Sequence, residues 1–536
     1  MSNVKLLDCT LRDGGYINDW KFGLHTTRDI IRKLVESQVD YVEVGFLRDV
    51  TYDVDKVLFN NCAEIENVLP AMAKRGNTIF TAMALHNKYD VTKLEPYDGK
   101  TIDAVRVTFH DYDIDEGLEF IRAVKEKGYK TFCNPINIMG YSDEMILELI
   151  KKVNALQPYA FSIVDTFGSM MKSDLQRIYS LLENNLNKDI VIGLHLHENL
   201  GLAYSLAQEF ITMKSVDREC VIDGSMLGMG RVPGNLCLEL IMDYMNRTQG
   251  ASYDVNPVLD GIDDHIAKLK DIEAWGYNTA YALSAKYNLH RNYAEFLLGK
   301  GRLRAKQINQ ILASIDNAKK TAYDEAYVQK LYEDFQNRTV DDTDLLKQLG
   351  DKLTGRDIMI LAPGSSVARY GGKICEHISQ NDSIVISANY IPEGYDVNYA
   401  FFSNAVRYSA IGETDLEGRD DLTIVITSNL IEDVNTALPN SKTQTQIVNY
   451  AELALDNKGL SDNCVIMLLR LMTRLGISGV HIAGFDGYSE TAENYVSTYM
   501  VNQHTKGKEE NIKNKNLLSD VKKKLKVDFL TPSVYV

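Results

Sequence analysis

Short apolar, β-branched runs punctuate the first part of the chain. They fall at Val4–Cys9, Tyr41–Phe46, Ile79–Leu85, Ala104–Phe109, Thr131–Ile136, Ala160–Val164, Ile190–Leu196 and Cys220–Asp223. Stretches with helical spacing lie between them, such as Thr27–Ser37, Asp115–Lys127 and Asp143–Leu156. Eight buried strands alternating with helices over roughly 250 residues predict a (β/α)8 TIM barrel. A doubly wound open sheet is the competing arrangement for any βαβ series. The strand count and the polar residues at the strand ends favour the barrel.

The pattern then changes twice. Residues 255–350 show amphipathic spacing and few β-branched runs, and predict helices at Asp263–Trp275, Thr279–Tyr287, Arg291–Leu297, Ala305–Ser314 and Asp324–Gln336. The tetrad Asp341-Asp342-Thr343-Asp344 predicts a linker. From Asp357 strands return, at Ile358–Leu361, Ser383–Ser387, Tyr399–Phe402, Leu422–Thr427 and Gly479–Ala483, which predicts a Rossmann-like α/β sheet. The expected division is a barrel over 1–255, a helical extension over 256–350 and an α/β domain over 351–536.

Composition narrows the partners. The 536 residues carry 58 basic and 74 acidic side chains, a formal charge of −16, which argues against nucleic acid as a partner. Seven scattered cysteines without a CxxC pair read as reduced core thiols of a cytoplasmic protein. Met1 is followed by a polar Ser-Asn and a short strand, so no signal peptide is expected, and no run is long enough to span a bilayer.

Polar residues gather at the strand ends: Arg12 and Asp13, Glu43 and Arg48, Thr108 and His110, Asn134 and Asn137, Asp165 and Thr166, then His195 through Asn199, then Asp223 and Ser225. In a barrel these ends share one face. Arg12 and Asp13 at the mouth of a buried strand are costly unless they bind something. His195 and His197, two apart on a predicted strand, point to the same side. Two imidazoles and one carboxylate leave positions open on a divalent ion; Mn²⁺ or Mg²⁺ suits a chelating oxo-acid, and Zn²⁺ is an alternative.

The blocks Leu7–Gly14 (LDCTLRDG), Gly193–Asn199 (GLHLHEN) and Gly228–Asn235 (GMGRVPGN) together resemble the DRE-TIM metallolyase superfamily, most closely its 4-hydroxy-2-oxovalerate aldolase branch. The resemblance implies that Asp13, His195 and His197 bind the metal, with Asn235 as a further contact. It implies that Arg12 stabilises the enolate of a 2-oxo acid such as pyruvate, that Thr166 contacts the substrate carboxylate region, and that Tyr277 makes a polar contact to the reacting oxygen. It also implies that the helical extension caps the barrel and helps to form a homo-oligomer. The aldolase branch has a histidine base where Tyr16 stands here. An unperturbed tyrosine is a poor base near neutral pH. Proton transfer then falls to a tuned Tyr16, to His110, to Glu43 or to metal-bound water, or the reaction differs; Glu43 and His110 are also expected to contact substrate.

In the C-terminal domain, Ala362–Val367 (APGSSV) reads as a strand–turn–helix that holds phosphate on backbone N–H groups. With Asn389, Asn404 and Gly484–Tyr488 it distantly resembles the nucleotide-sugar-binding fold of family 42 sialyltransferases over about residues 355–500. The resemblance implies that Gly364, Ser365, Asn389 and Asn404 lie near a nucleotide. His504 reads as a surface residue and Lys506–Lys526 as a solvated helix face. The leading expectation is a metal-dependent aldolase or lyase joining or splitting a 2-oxo acid and a sugar or nucleotide-sugar carbonyl, in surface-polysaccharide synthesis. The alternatives are a Claisen-type acyl-CoA condensing enzyme and a non-catalytic nucleotide-sugar scaffold.

Overall fold

The computed structural model describes residues 3–433, 443–456, 459–489, 494–497, 500 and 507–536. His504 lies outside them. The chain divides into two compact units, Met1–Ala294 with Asp316–Tyr323, and Glu295–Ile315 with Asp324–Val536. The helical stretch expected as a separate extension is therefore shared out between the two.

The first unit is a closed parallel barrel. Its strands are β1 (Val4–Asp8), β2 (Tyr41–Leu47), β3 (Leu58–Phe59), β4 (Ile79–Leu85), β5 (Ala104–Phe109), β6 (Lys130–Pro135), β7 (Ala160–Val164), β8 (Val191–His195) and β9 (Cys220–Gly224). Their order is β1-β9-β8-β7-β6-β5-β4-β2-β3, and a β1–β2 pairing closes the ring. The short β3 is an addition to the eight expected strands; it pairs outside the ring with the end of β2. The β2–β4 register shifts between Glu43 and Phe46. Gly45 sits at this shift with φ +147°, and a Cβ there would meet the Val57 carbonyl at 2.2 Å.

Strand alternation builds the barrel interior in layers. Leu7, Tyr41, Ala104, Phe132, Ala160, Val191 and Val221, one from each of seven strands, form an apolar layer. Two residues further along, the same side of the strands carries Glu43, Arg106, Asn134, Ser162 and Asp223, all buried. The barrel is thus apolar at its base and polar towards the C-terminal ends.

The second unit has a parallel sheet of β10 (Ile358–Leu361), β11 (Ile384–Ala388), β12 (Tyr399–Phe402), β13 (Thr423–Thr427) and β14 (Gln444–Val448). A small antiparallel pair follows, β15 (Leu455–Asp456) and β16 (Gly459–Leu460), and then β17 (Gly479–Ala483) and β18 (Lys526–Phe529) return to the sheet. The order is β14-β13-β12-β11-β10-β17-β18. The direction of winding therefore reverses between β10 and β17. The edge strands β14 and β18 were not expected from sequence, because Gln444–Val448 and Lys526–Phe529 are polar and only partly buried. The tetrad at 341–344 is not a linker. The helix Thr343–Leu353 begins within it, and Asp342 is buried, accepting from the Asn449 backbone N–H at 2.8 Å.

Candidate metal and enolate site

β1 ends at Asp8, and Thr10–Asp13 then form a single helical turn across the barrel mouth. The Asp8 carboxyl anchors this turn by accepting from the Thr10 backbone N–H at 3.0 Å and the Thr10 hydroxyl at 2.7 Å. Burial pushes the Asp8 carboxyl up to about 7. The turn buries both Arg12 and Asp13 and brings Asp13 to the imidazoles of His195 and His197. One ligand atom from each of the three lies within 4.8 Å of the others. His195 closes β8, whereas His197 lies beyond the strand and is held by a bridge to Asn235.

The histidines are oriented as metal ligands are. His195 Nδ1 pairs with Asp223 Oδ2 at 2.9 Å, and His197 Nδ1 pairs with the Gly234 carbonyl at 3.1 Å. Each pairing leaves the opposite ring nitrogen for an ion. Burial, aided by His195 and Arg231, holds His197 down at about 3, so the imidazole is neutral and able to ligate. Burial opposes ionisation of Asp13, but Arg12 and the two imidazoles outweigh it and hold the carboxyl well below the usual range. Asp13 Oδ2 and Asn235 Oδ1 are buried with no hydrogen-bond partner. Gly230 closes the cradle: a Cβ there would lie 2.8 Å from Asp13 Oδ2 and 2.3 Å from Asn235 Nδ2. Unpartnered oxygens beside two oriented imidazoles fit a divalent cation.

A run of ion pairs connects this cluster through the barrel interior. Arg12 donates from Nη1 to Asp13 Oδ1 at 2.6 Å and from Nε to Glu43 Oε2 at 2.7 Å. Arg106 donates to Glu43 Oε2 at 3.1 Å and to Asp223, which in turn holds His195. Arg106 also lies over the Phe132 ring at 5.7 Å. Two guanidiniums against three carboxylates leave one negative charge, which a divalent cation would reverse to one positive. Arg12 Nη2 has no partner among the described residues and is the donor left for an anionic oxygen.

Arg106 was not singled out in the sequence. The signal was present: an arginine inside the otherwise apolar strand Ala104–Phe109, in phase with Glu43 and Asp223. His290 was also passed over. Its Nε2 lies 2.8 Å from Arg231 Nη2, and burial with Arg231, Arg291 and His110 holds it at about 3.

The remaining expected residues are less central. Glu43 is enclosed by the two guanidiniums and positions them; it is not open to substrate. Tyr16 is 39% exposed, with its ring edge-on to Trp20 at 4.7 Å and Arg231 above it at 6.0 Å. His110 is half-buried and stacks on Tyr112. Thr166 Oγ1 accepts from the Asn137 backbone N–H at 2.7 Å. Tyr277 is 64% exposed, and the structure does not bring it into this cluster.

In the second unit, Gly364, Asn389 and Asn404 line a cavity, and Ser365 does not. The phosphate expected at the Ala362–Val367 turn is replaced by a side chain. Asp486 accepts there from the Ser366 backbone N–H at 2.8 Å and from its hydroxyl at 2.5 Å.

The fold is a (β/α)8 barrel whose mouth carries a cluster able to hold a metal ion, and residues 3–266 match the HMGL-like family. The 4-hydroxy-2-oxovalerate aldolase of Spirochaeta aurantia is 26% identical over 264 residues, covering 48% of this chain and 75% of that protein. The oxaloacetate decarboxylase of Mycobacterium tuberculosis is 22% identical over 265 residues, covering 48% and 74%. Among solved structures, the HMG-CoA lyase of Bacillus subtilis superposes with a TM-score of 0.40 at 16% identity, covering 50% of this chain and 93% of that one. The family match ends at residue 266, so it describes the barrel and not the second unit.

Proposed function

We propose that the barrel is a divalent-metal-dependent carbon–carbon lyase that makes or breaks the C3–C4 bond of a 2-oxo acid, one carbon out from the 2-oxo group, through its enolate. The observation that carries this reading is the buried Asp13–His195–His197 cluster with the free end of Arg12 beside it. A bound Mn²⁺ or Mg²⁺ would polarise the 2-oxo group and lower the cost of the enolate. Arg12 places a fixed positive charge where the enolate oxygen develops its negative one. Asp223 and Arg106 keep His195 and Glu43 in place, so little reorganisation accompanies the charge change. Glu43 is committed to the guanidiniums, which leaves His110 and Tyr16 at the half-open rim to move the proton. The aldolase and decarboxylase relatives both fit this reading, since aldol cleavage and decarboxylation of a 2-oxo acid share one enolate.

The carbonyl partner we propose is a sugar or nucleotide sugar, supported by the fusion to a second α/β unit. Incubation with pyruvate and Mn²⁺ or Mg²⁺ in deuterium oxide tests the central step. The methyl protons should exchange, and Asp13→Ala should abolish the exchange. No exchange by the wild-type protein overturns the reading.

A further inference from the structure

We propose that the second unit binds a phosphorylated small molecule in the cavity at the C-terminal ends of β10 and β17, through Arg302 and a set of asparagine amides. The site stands on its own observations and does not depend on the barrel's chemistry.

Topology supplies the place. The sheet is parallel throughout, and its winding reverses between β10 and β17. Open α/β sheets leave a crevice at the carboxyl ends of the strands where winding reverses. The cavity lies there, lined by Ala362–Gly364 after β10 and by Gly484–Tyr488 after β17. Its volume is about 270 Å³, at the small end of ligand pockets, which suits a phosphate bearing a compact group better than a dinucleotide.

Hydrogen-bond bookkeeping supplies the chemistry. Two of the three carboxylates that line the cavity are engaged within the protein. Asp462 accepts from the hydroxyls of Tyr332 at 2.7 Å and Tyr450 at 2.5 Å, and Asp486 accepts twice from Ser366. The asparagine carbonyls are engaged as well. Asn389 Oδ1 accepts from the Ser403 N–H at 3.1 Å. Asn404 Oδ1 accepts from Val406 and Arg407 at 2.9 and 3.2 Å, and Asn463 Oδ1 from Val465 and Ile466 at 3.0 and 3.1 Å. Asn404 spends its NH2 on the Gly301 carbonyl at 3.4 Å, whereas Asn389 and Asn463 retain theirs. Arg302 is 93% buried; its Nη2 donates to the Ser403 carbonyl at 2.5 Å and its Nη1 lies 3.8 Å from Asp462, but its Nε has no partner. A buried guanidinium nitrogen left unpaired beside amide donors calls for an anionic acceptor. A neutral apolar molecule would leave these donors unsatisfied.

Calorimetric titration of the full-length protein with inorganic pyrophosphate tests the site. Asn463→Asp keeps a carbonyl-type oxygen for the helix cap but replaces the NH2 donor with negative charge. Saturable binding is expected, weakened about tenfold or more in Asn463→Asp with thermal midpoint and pyruvate exchange unchanged. Hydrogen–deuterium exchange should show pyrophosphate protecting 362–366 and 484–488. Absence of binding by the wild-type protein overturns the proposal, as does equal affinity in Asn463→Asp or protection confined to other segments. Because pyruvate exchange is read separately, failure here and failure of the barrel reading are distinguishable.

Discussion

The barrel mouth and the crevice of the second unit occupy equivalent places, the C-terminal ends of parallel strands, yet they are equipped in opposite senses. At the barrel mouth two unpartnered buried acceptors, Asp13 Oδ2 and Asn235 Oδ1, stand beside imidazoles whose Nδ1 atoms are already committed, with Arg12 Nη2 as a spare donor at their edge. In the crevice the oxygens of Asp486, Asn389, Asn404 and Asn463 accept bonds within the protein, and Arg302 Nε is a buried donor left without one. A parallel sheet provides the location. Which side of each polar group is used up internally decides whether that location suits a cation or an anion.

The largest expected effect comes from breaking the cation side. Asp13→Ala or His195→Ala should abolish pyruvate deuterium exchange and the binding of Mn²⁺, read by exchange rate and by calorimetry. Arg12→Lys keeps the charge but loses the forked contact to Asp13 and Glu43, and should slow exchange about a hundredfold or more. Arg106→Leu touches neither metal nor substrate. It releases Glu43 and Asp223 and should lower metal affinity about tenfold to a hundredfold. Gly230→Ala would press a methyl group against Asp13 and Asn235 and should weaken Mn²⁺ binding while leaving pyrophosphate binding intact, which sharpens the separation of the two sites.

The smallest effects concern pH. His197 titrates near 3 when folded and near 6.5 when unfolded, so the unfolded chain holds more protons between these values. The stability it contributes is complete above about 6.5 and is lost as pH falls towards 3. Asp165 has the opposite sign. Burial raises it to about 7, so its contribution is present below about 4 and is lost as pH rises to about 7. Asp165→Asn should flatten the stability profile over that upper window, measured by denaturant unfolding across pH.

Much of the barrel was legible because its strands are buried on both faces and read as largely apolar runs, such as Ile79–Leu85. The residues of the Asp13–His195–His197 cluster stood out in motif blocks that resemble a known family. Arg106 was not, because a single arginine in a strand gains meaning only when the strands are aligned by the layer each residue occupies. The edge strands β14 and β18 were missed because half-exposed edges lack an apolar pattern. The phosphate expected on the Ala362–Val367 turn was misplaced because Asp486, more than a hundred residues away, fills that turn; no local pattern announces it.

The most direct test of the central claim is pyruvate methyl exchange in deuterium oxide, run on metal-stripped protein during Mn²⁺ titration. The account predicts no exchange without the ion, recovery that saturates at one ion in the barrel site, and no recovery in Asp13→Ala. Exchange that persists in stripped protein, or that Mn²⁺ restores equally to Asp13→Ala, would contradict it.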